Sequence, residues 1–297
     1  MANNRMLVGE KTKSIGTFTV GRLLPFREKR QVGPFTFIDH MGPVVLNGGQ
    51  YFDVDQHPHI GLSTLTYLLE GQIEHKDSTG AVRVIHPGDV GFMTSGKGVS
   101  HTERTPAELR ESGTEIRMHG YQVWVAMPKE KEDQNPRFDF VHSSELPQKS
   151  IEEVSVKLIA GKGFGMESPL PVHSELFMVD MVSDNASESL IDLRKDLVGE
   201  IAIVVTKGRA WVDGDDDKRV DIDSGNMLVS EIENECKIGL LPGTRLLLFG
   251  GEPFPEKRYM YWNFVSSRRE KIEQAKAEWE KKLFPKVPGD ETYIPLP

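Results

Sequence analysis

Between Leu62 and Glu103 the chain does not run much more than about ten residues without meeting a turn signal. Glu70-Gly71, Ser78-Thr79-Gly80, Pro87-Gly88-Asp89 and Gly96-Lys97-Gly98 cut the segment LSTLTYLLEGQIEHKDSTGAVRVIHPGDVGFMTSGKGVSHTE into short pieces rich in Leu, Val, Ile and Thr. A helix needs an uninterrupted run to build a packing stripe, whereas a short strand can pair with its neighbour after every reversal. The spacing therefore predicts consecutive antiparallel strands, in a sandwich or a barrel.

Two short motifs bracket this region, His57-Pro58-His59 and His101-Thr102-Glu103. Residues at i and i+2 on an extended segment point to the same face. If the two segments lie side by side, His57, His59, His101 and Glu103 converge as one metal site. Neutral imidazole and ionised carboxylate suit Fe(II), Mn, Ni, Cu or Zn, and three histidines with one glutamate leave open positions in an octahedron. Pro58 fixes its own φ, and Gly61 lets the chain turn without a Cβ clash. A lone His-x-His on a strand is commonly a wet face; two such motifs within one β domain are what single this pattern out. His40, at a strand end, reads as a hydrogen-bonded structural residue, and His75, His86, His119, His142 and His173 read as surface or structural.

Composition narrows the chemistry. The single cysteine, Cys236, cannot form an internal disulfide and excludes a Cys-based zinc cluster, so histidine and carboxylate must hold any metal. A net charge of −9 opposes a broad phosphate-binding surface, and no nucleic-acid partner is expected. The basic cluster Arg268, Arg269 and Lys271 reads as a solvated helix face. The sequence has no run of about eighteen apolar residues and no apolar signal core at its amino terminus, so a soluble, cytoplasmic protein without membrane contact is expected.

Residues 15–45 read as short strands entering a β domain, and 127–147, polar and proline-bearing, as the passage to a second one. The second half repeats the first: Gly71 matches Gly208, and Gly88 matches Gly225, both with an offset of 137 residues. The same offset carries the four candidate ligands onto Arg194, Asp196, Ile238 and Leu240, so the ligand set belongs to the first unit alone. A helix is expected over Ser267–Leu283, opened by a Ser267/Glu270 capping box, with Ile272, Ala275, Trp279 and Leu283 on its apolar stripe. Tyr293 and Ile294 are placed to anchor the extended tail. The expected blocks are 1–135, 136–265 and 266–297.

The motifs VGPFTFIDHMGP, HPHIGLSTLTYLLEGQIEHKDS, HPGDVGFMTSGKGVSHTE, FGGEPF and WNFVSSRREKIEQAKAEW, in that order over nearly the whole chain, resemble the pirin family of the cupin superfamily. The resemblance implies an all-β bicupin: two antiparallel cupin-type β-barrel or β-sandwich domains face to face, with a C-terminal helix. It implies one mononuclear metal in the amino-terminal barrel, held by His57, His59, His101 and Glu103. Fe(II) is the expected ion, with Mn, Ni, Cu, Co or Zn as alternatives. It also implies a quercetin 2,3-dioxygenase activity, in which O2 opens a flavonol-like substrate with release of carbon monoxide and Glu103 is the catalytic base. The alternative it implies is an iron- and redox-dependent regulatory protein that binds a transcription factor or a metabolic enzyme. A monomer is expected. One departure stands out: Ile60, Leu62 and Ser63 occupy positions where many relatives carry Arg, Phe and Glu, so a second carboxylate beside the site is missing.

Overall fold

The computed structural model describes residues 5–15, 18–47, 49–213, 219–231 and 236–297. As the turn spacing predicts, the apolar runs of the segment 62–104 are antiparallel strands. The chain divides into two compact units.

The unit bearing the histidine motifs consists of Thr12–Arg22, Phe37–Ser143 and Pro255–Pro297. Among the described residues its larger sheet has seven strands, in the order Arg137–Val141, Val90–Thr94, Leu62–Glu70, Ile116–Ala126, Phe35–Leu46, Phe18–Leu24 and Lys11–Ile15. Its smaller sheet has the order Asp53–His59, Val99–Arg104, Ile73–Asp77 and Val82–Ile85. Phe18 and Leu68 of the larger sheet share one buried cluster with Ile73 and Ile85 of the smaller, so the two sheets enclose a common core.

The second unit, Met1–Lys11, Leu23–Thr36 and Ser144–Phe254, repeats this topology. Its four-stranded sheet runs Ser189–Asp192, Lys237–Leu240, Arg209–Asp213 and Arg219–Asp223, strand for strand the order of the small sheet above. Gly71 and Gly208, the matched turn glycines, both take left-handed φ, at 86° and 78°. The strand Lys237–Leu240 stands where Val99–Arg104 stands in the first unit, and its Ile238 and Leu240 are buried in an apolar cluster. Apolar side chains thus fill the positions that carry His101 and Glu103 in the other unit.

The contact grouping joins 255–297 to the histidine-bearing unit and 23–36 to the other. The edge beside Asn226–Ser230 is taken by Arg5–Gly9, from the start of the chain. The stretch 127–147 is more than a passage, because Arg137–Val141 pairs along Val90–Thr94 and completes the larger sheet.

The helix is shorter than expected, Arg269–Glu280. Ser267 does not cap it; Glu132 accepts hydrogen bonds from the Ser267 amide and hydroxyl instead, and Arg268 occupies the N-cap position without a side-chain cap. Ile272, Ala275 and Trp279 are buried as the stripe requires, but Leu283 is 66% exposed. Lys282 adopts a left-handed φ of 56°, which turns the chain after the helix and buries Phe284 in its place. The tail is anchored as expected: Tyr293 stacks on Trp279 at 4.6 Å, and Trp279 Nε1 donates to the Ile294 carbonyl at 2.9 Å. Among the described residues, no helix is long and apolar enough to cross a membrane.

Candidate metal centre

The strand Val99–Arg104 lies inside the small sheet, and its two neighbours bring the other imidazoles to it. On one side His101 faces His57 and Val99 faces His59, with an irregularity in register between His101 and Glu103. On the other side Glu103 faces His75 and His101 faces Asp77. Gly61 permits the bend after the first motif: its φ is 65°, and a Cβ there would lie 2.0 Å from the Val265 carbonyl oxygen.

His57, His59 and His101 form one compact group of potential ligands, with donor atoms within 4.8 Å of one another. His59 Nε2 and His101 Nε2 approach to 3.1 Å. Ligand atoms about 2.1 Å from a common ion and at right angles to each other would lie about 3 Å apart, so this spacing fits two members of one coordination shell. Glu103 belongs to a second compact group, with His101 and His75. His101 links the two. The arrangement is a buried histidine and glutamate group able to hold a metal ion.

Burial sets the protonation states. It holds the His57 imidazole down to about 4, against a raising contribution from the Asp55 carbonyl. His59 and His101 are driven well below the ordinary imidazole value, by burial first and by the neighbouring histidines second. All three are therefore neutral near pH 7, the form that donates a lone pair to a metal. His57 Nδ1 donates to the Asp55 carbonyl at 2.7 Å, which leaves its Nε2 as the lone-pair nitrogen. Burial pushes the Glu103 carboxyl up to about 7, opposed by hydrogen bonds from Thr66 and Gln122. Thr66 Oγ1 lies 3.4 Å from Glu103 Oε1 and 2.8 Å from Gln122 Oε1.

The strands of the larger sheet that face this group decide the meaning of Ser63. Thr66 reaches Glu103, and Thr64 pairs with Trp124, whose ring meets His59 edge to face at 5.1 Å. Ser63 is out of phase with both, on the opposite face of its strand, where its hydroxyl donates to Thr94 Oγ1 at 3.3 Å. A carboxylate at position 63 would point away from the histidines, so the substitution removes nothing from the site. Ile60 is buried in a cluster with Phe264, Ile272 and Trp279.

Among the other histidines, His40 Nε2 contacts His119 Nε2 at 2.9 Å and its ring stacks on Tyr121, in keeping with a structural role. His75 is the residue that spacing missed. It is buried, its Nδ1 lies 3.4 Å from His101 Nδ1, and Phe138 stacks on its ring at 4.2 Å. The signal was available: His75-Lys76-Asp77 is a third pair at i and i+2. Thr66 and Gln122 carried a weaker one, as single polar residues inside apolar runs.

Comparison with known proteins agrees with this architecture. Residues 17–125 match the family model described as Pirin, and 178–285 that described as the Pirin C-terminal cupin domain. A pirin-like protein of Caulobacter vibrioides is 41% identical over 292 residues, 97% of each chain. A Pseudomonas aeruginosa relative, provisionally named a quercetin 2,3-dioxygenase, is 35% identical over 89% of this chain and 80% of that one. The crystal structure of a quercetin 2,3-dioxygenase from Acinetobacter baumannii superposes with a TM-score of 0.87 and 31% identity, covering 99% of this chain and 95% of that chain. With both cupin domains matched and the likeness running nearly end to end, the chain is an all-β bicupin that belongs to the pirin family.

Proposed function

We propose that this chain is a metal-dependent dioxygenase with quercetin 2,3-dioxygenase activity, its metal held by His57, His59, His101 and Glu103. The observation that carries the reading is the convergence of buried, neutral imidazoles, with His59 and His101 Nε2 3.1 Å apart, beside the buried Glu103 carboxyl. The named likeness to the Acinetobacter enzyme supplies the substrate class, a flavonol, and the co-substrate O2. Fe(II) is the proposed ion, and Mn, Ni, Cu, Co or Zn would also suit the donor set. When bound, such an ion supplies Lewis acidity and, for a redox-active metal, electron exchange with O2.

The protein's own residues do the rest. Glu103, the one acidic group among the proposed ligands, takes the proton of the flavonol 3-hydroxyl as general base. Thr66 and Gln122 hold that carboxyl in place. The Trp124 ring against His59 shields the imidazoles from water and keeps the local dielectric low. The electron-rich flavonolate that results is the species that reacts with O2, losing one ring carbon as carbon monoxide.

Oxygen uptake and carbon monoxide release with quercetin, after anaerobic reconstitution with Fe(II), test the activity. Glu103→Gln is expected to retain metal through the histidines while turnover falls by about 100-fold or more, the usual contribution of a positioned base. Undiminished turnover in that variant would remove Glu103 from the chemistry.

A further inference from the structure

We propose that Asp77 and His75 form a proton-ordering chain that fixes the tautomer and orientation of His101, so that His75 is a positioning residue and not a fourth imidazole ligand. This inference rests on reading the histidine group as a metal centre. Its first observation is the environment of Asp77, which is fully buried. Asp77 Oδ1 already accepts from the Thr79 amide at 2.8 Å, the Thr79 hydroxyl at 2.6 Å and the Ala81 amide at 3.3 Å. Oδ2 is left to face His75 Nε2 at 3.0 Å.

An ionised carboxylate only accepts, so His75 Nε2 carries the hydrogen and donates it. A neutral imidazole with hydrogen on Nε2 presents a lone pair on Nδ1. That lone pair faces His101 Nδ1 at 3.4 Å, so His101 must donate from Nδ1 and keep its own lone pair on Nε2. Nε2 is the atom that approaches His59 Nε2 at 3.1 Å. His57 reaches the same state by another route, through the Asp55 carbonyl. Two of the three imidazoles thus arrive with Nε2 free to coordinate.

The fold keeps the chain in register. Asp77 stands directly opposite His101 across the strand pair, and Phe138, stacked on His75 with planes 16° apart, fixes the plane of the middle ring. Because both ring nitrogens of His75 are engaged, the grouping of His75 with His101 and Glu103 is not a second coordination set. His75 instead acts on the ion through His101, as outer carboxylate and histidine partners do elsewhere.

The test uses the full chain with Asp77→Asn and His75→Phe. Asparagine keeps the shape but places an amide donor where Oδ2 stands, which reverses the hydrogen order along the chain; phenylalanine keeps the stack on Phe138 and removes the hydrogen bonds. In the metal-free protein, two-bond 1H–15N NMR correlations should show His101 protonated on Nδ1 in wild type and on Nε2 in Asp77→Asn. Chelator competition should show Zn(II) affinity about 10- to 100-fold weaker in both variants. Pulsed EPR of the Cu(II) forms should count the same number of coordinated imidazoles in wild type and His75→Phe. Wild-type His101 protonated on Nε2, unchanged Zn(II) affinity in both variants, or loss of one imidazole in His75→Phe would each overturn the inference. A wild type that binds neither ion would overturn the metal-centre reading itself, while the NMR result still decides the proton chain. If Asp77→Asn fails to fold, the wild-type tautomer and His75→Phe decide it.

Discussion

At the scale of single residues, the site combines neutral histidines with one carboxyl that exchanges its proton near neutrality. Glu103 is raised to about 7 from an ordinary value of 4.5, so in the metal-free protein the folded state holds a proton that the unfolded state has lost across that window. This group therefore contributes less stability as pH rises from about 5 to about 7. His57 works in the opposite sense. With its folded value lowered to about 4, its contribution is complete above the ordinary imidazole value and is lost as pH falls toward 4. For metal binding only the carboxyl matters between those limits, because the imidazoles are already neutral. Apparent metal affinity of the wild type is expected to rise about tenfold per pH unit from about pH 5 to about pH 7 and then level off, with near-flat behaviour in Glu103→Gln. Titration calorimetry in buffers of different ionisation enthalpy checks this directly; a flat wild-type profile would contradict it. The clustering of His57 and His59 with His101, and of His101 with Glu103, was legible in the sequence because alternation on a strand is a two-residue rule. His75 and Asp77 form the same kind of pair, but the spacing alone did not join it to the others; the cross-strand register, which sets Asp77 opposite His101, does.

At the scale of elements, the helix shows how far a periodic pattern can be trusted. Ile272, Ala275 and Trp279 follow the apolar stripe and are buried, while Leu283 continues the count past the point where the backbone has left the helix. The turn at Lys282 buries Phe284, whose ring lies 5.6 Å from that of Trp279 and 6.0 Å from that of Phe264. Phe284→Ala should therefore cost about 3–5 kcal/mol, as removal of a buried aromatic does. Leu283→Ala should stay within about 0.5 kcal/mol, as at an exposed position. Urea denaturation of the two variants compares them, and equal losses would refute the boundary. The missing capping box has a similar origin. Local spacing paired Ser267 with Glu270, whereas the fold supplies Glu132, distant in sequence, as a better acceptor for the Ser267 amide and hydroxyl. The tail beyond the helix is tied to the strand of the first histidine motif: Gln56 accepts from the Val287 amide at 2.6 Å and donates to the Thr292 carbonyl at 2.9 Å. Gln56→Ala is expected to make the tail more susceptible to limited proteolysis while leaving the rest of the chain resistant, because those two bonds flank the segment.

At the scale of the whole molecule, two units of one topology have diverged in what fills the equivalent strand. In one, Val99–Arg104 carries His101 and Glu103; in the other, Lys237–Leu240 carries Ile238 and Leu240 into an apolar core. The 137-residue offset made this divergence legible, since it compares positions without needing coordinates. The exchange of segments 1–11, 23–36 and 255–297 was not legible, because edge-strand pairing and helix docking join residues far apart in sequence. On the function proposed above, one metal ion held by the first unit's histidines and Glu103 performs the oxygen chemistry. Elemental analysis of iron-reconstituted protein, paired with oxygen uptake on quercetin for wild type and His101→Ala, tests it most directly. About one iron per chain and quercetin-dependent uptake are expected in wild type, with both lost in His101→Ala. Wild-type protein that retains no metal after reconstitution, or a His101→Ala variant that consumes oxygen at the wild-type rate, would contradict it.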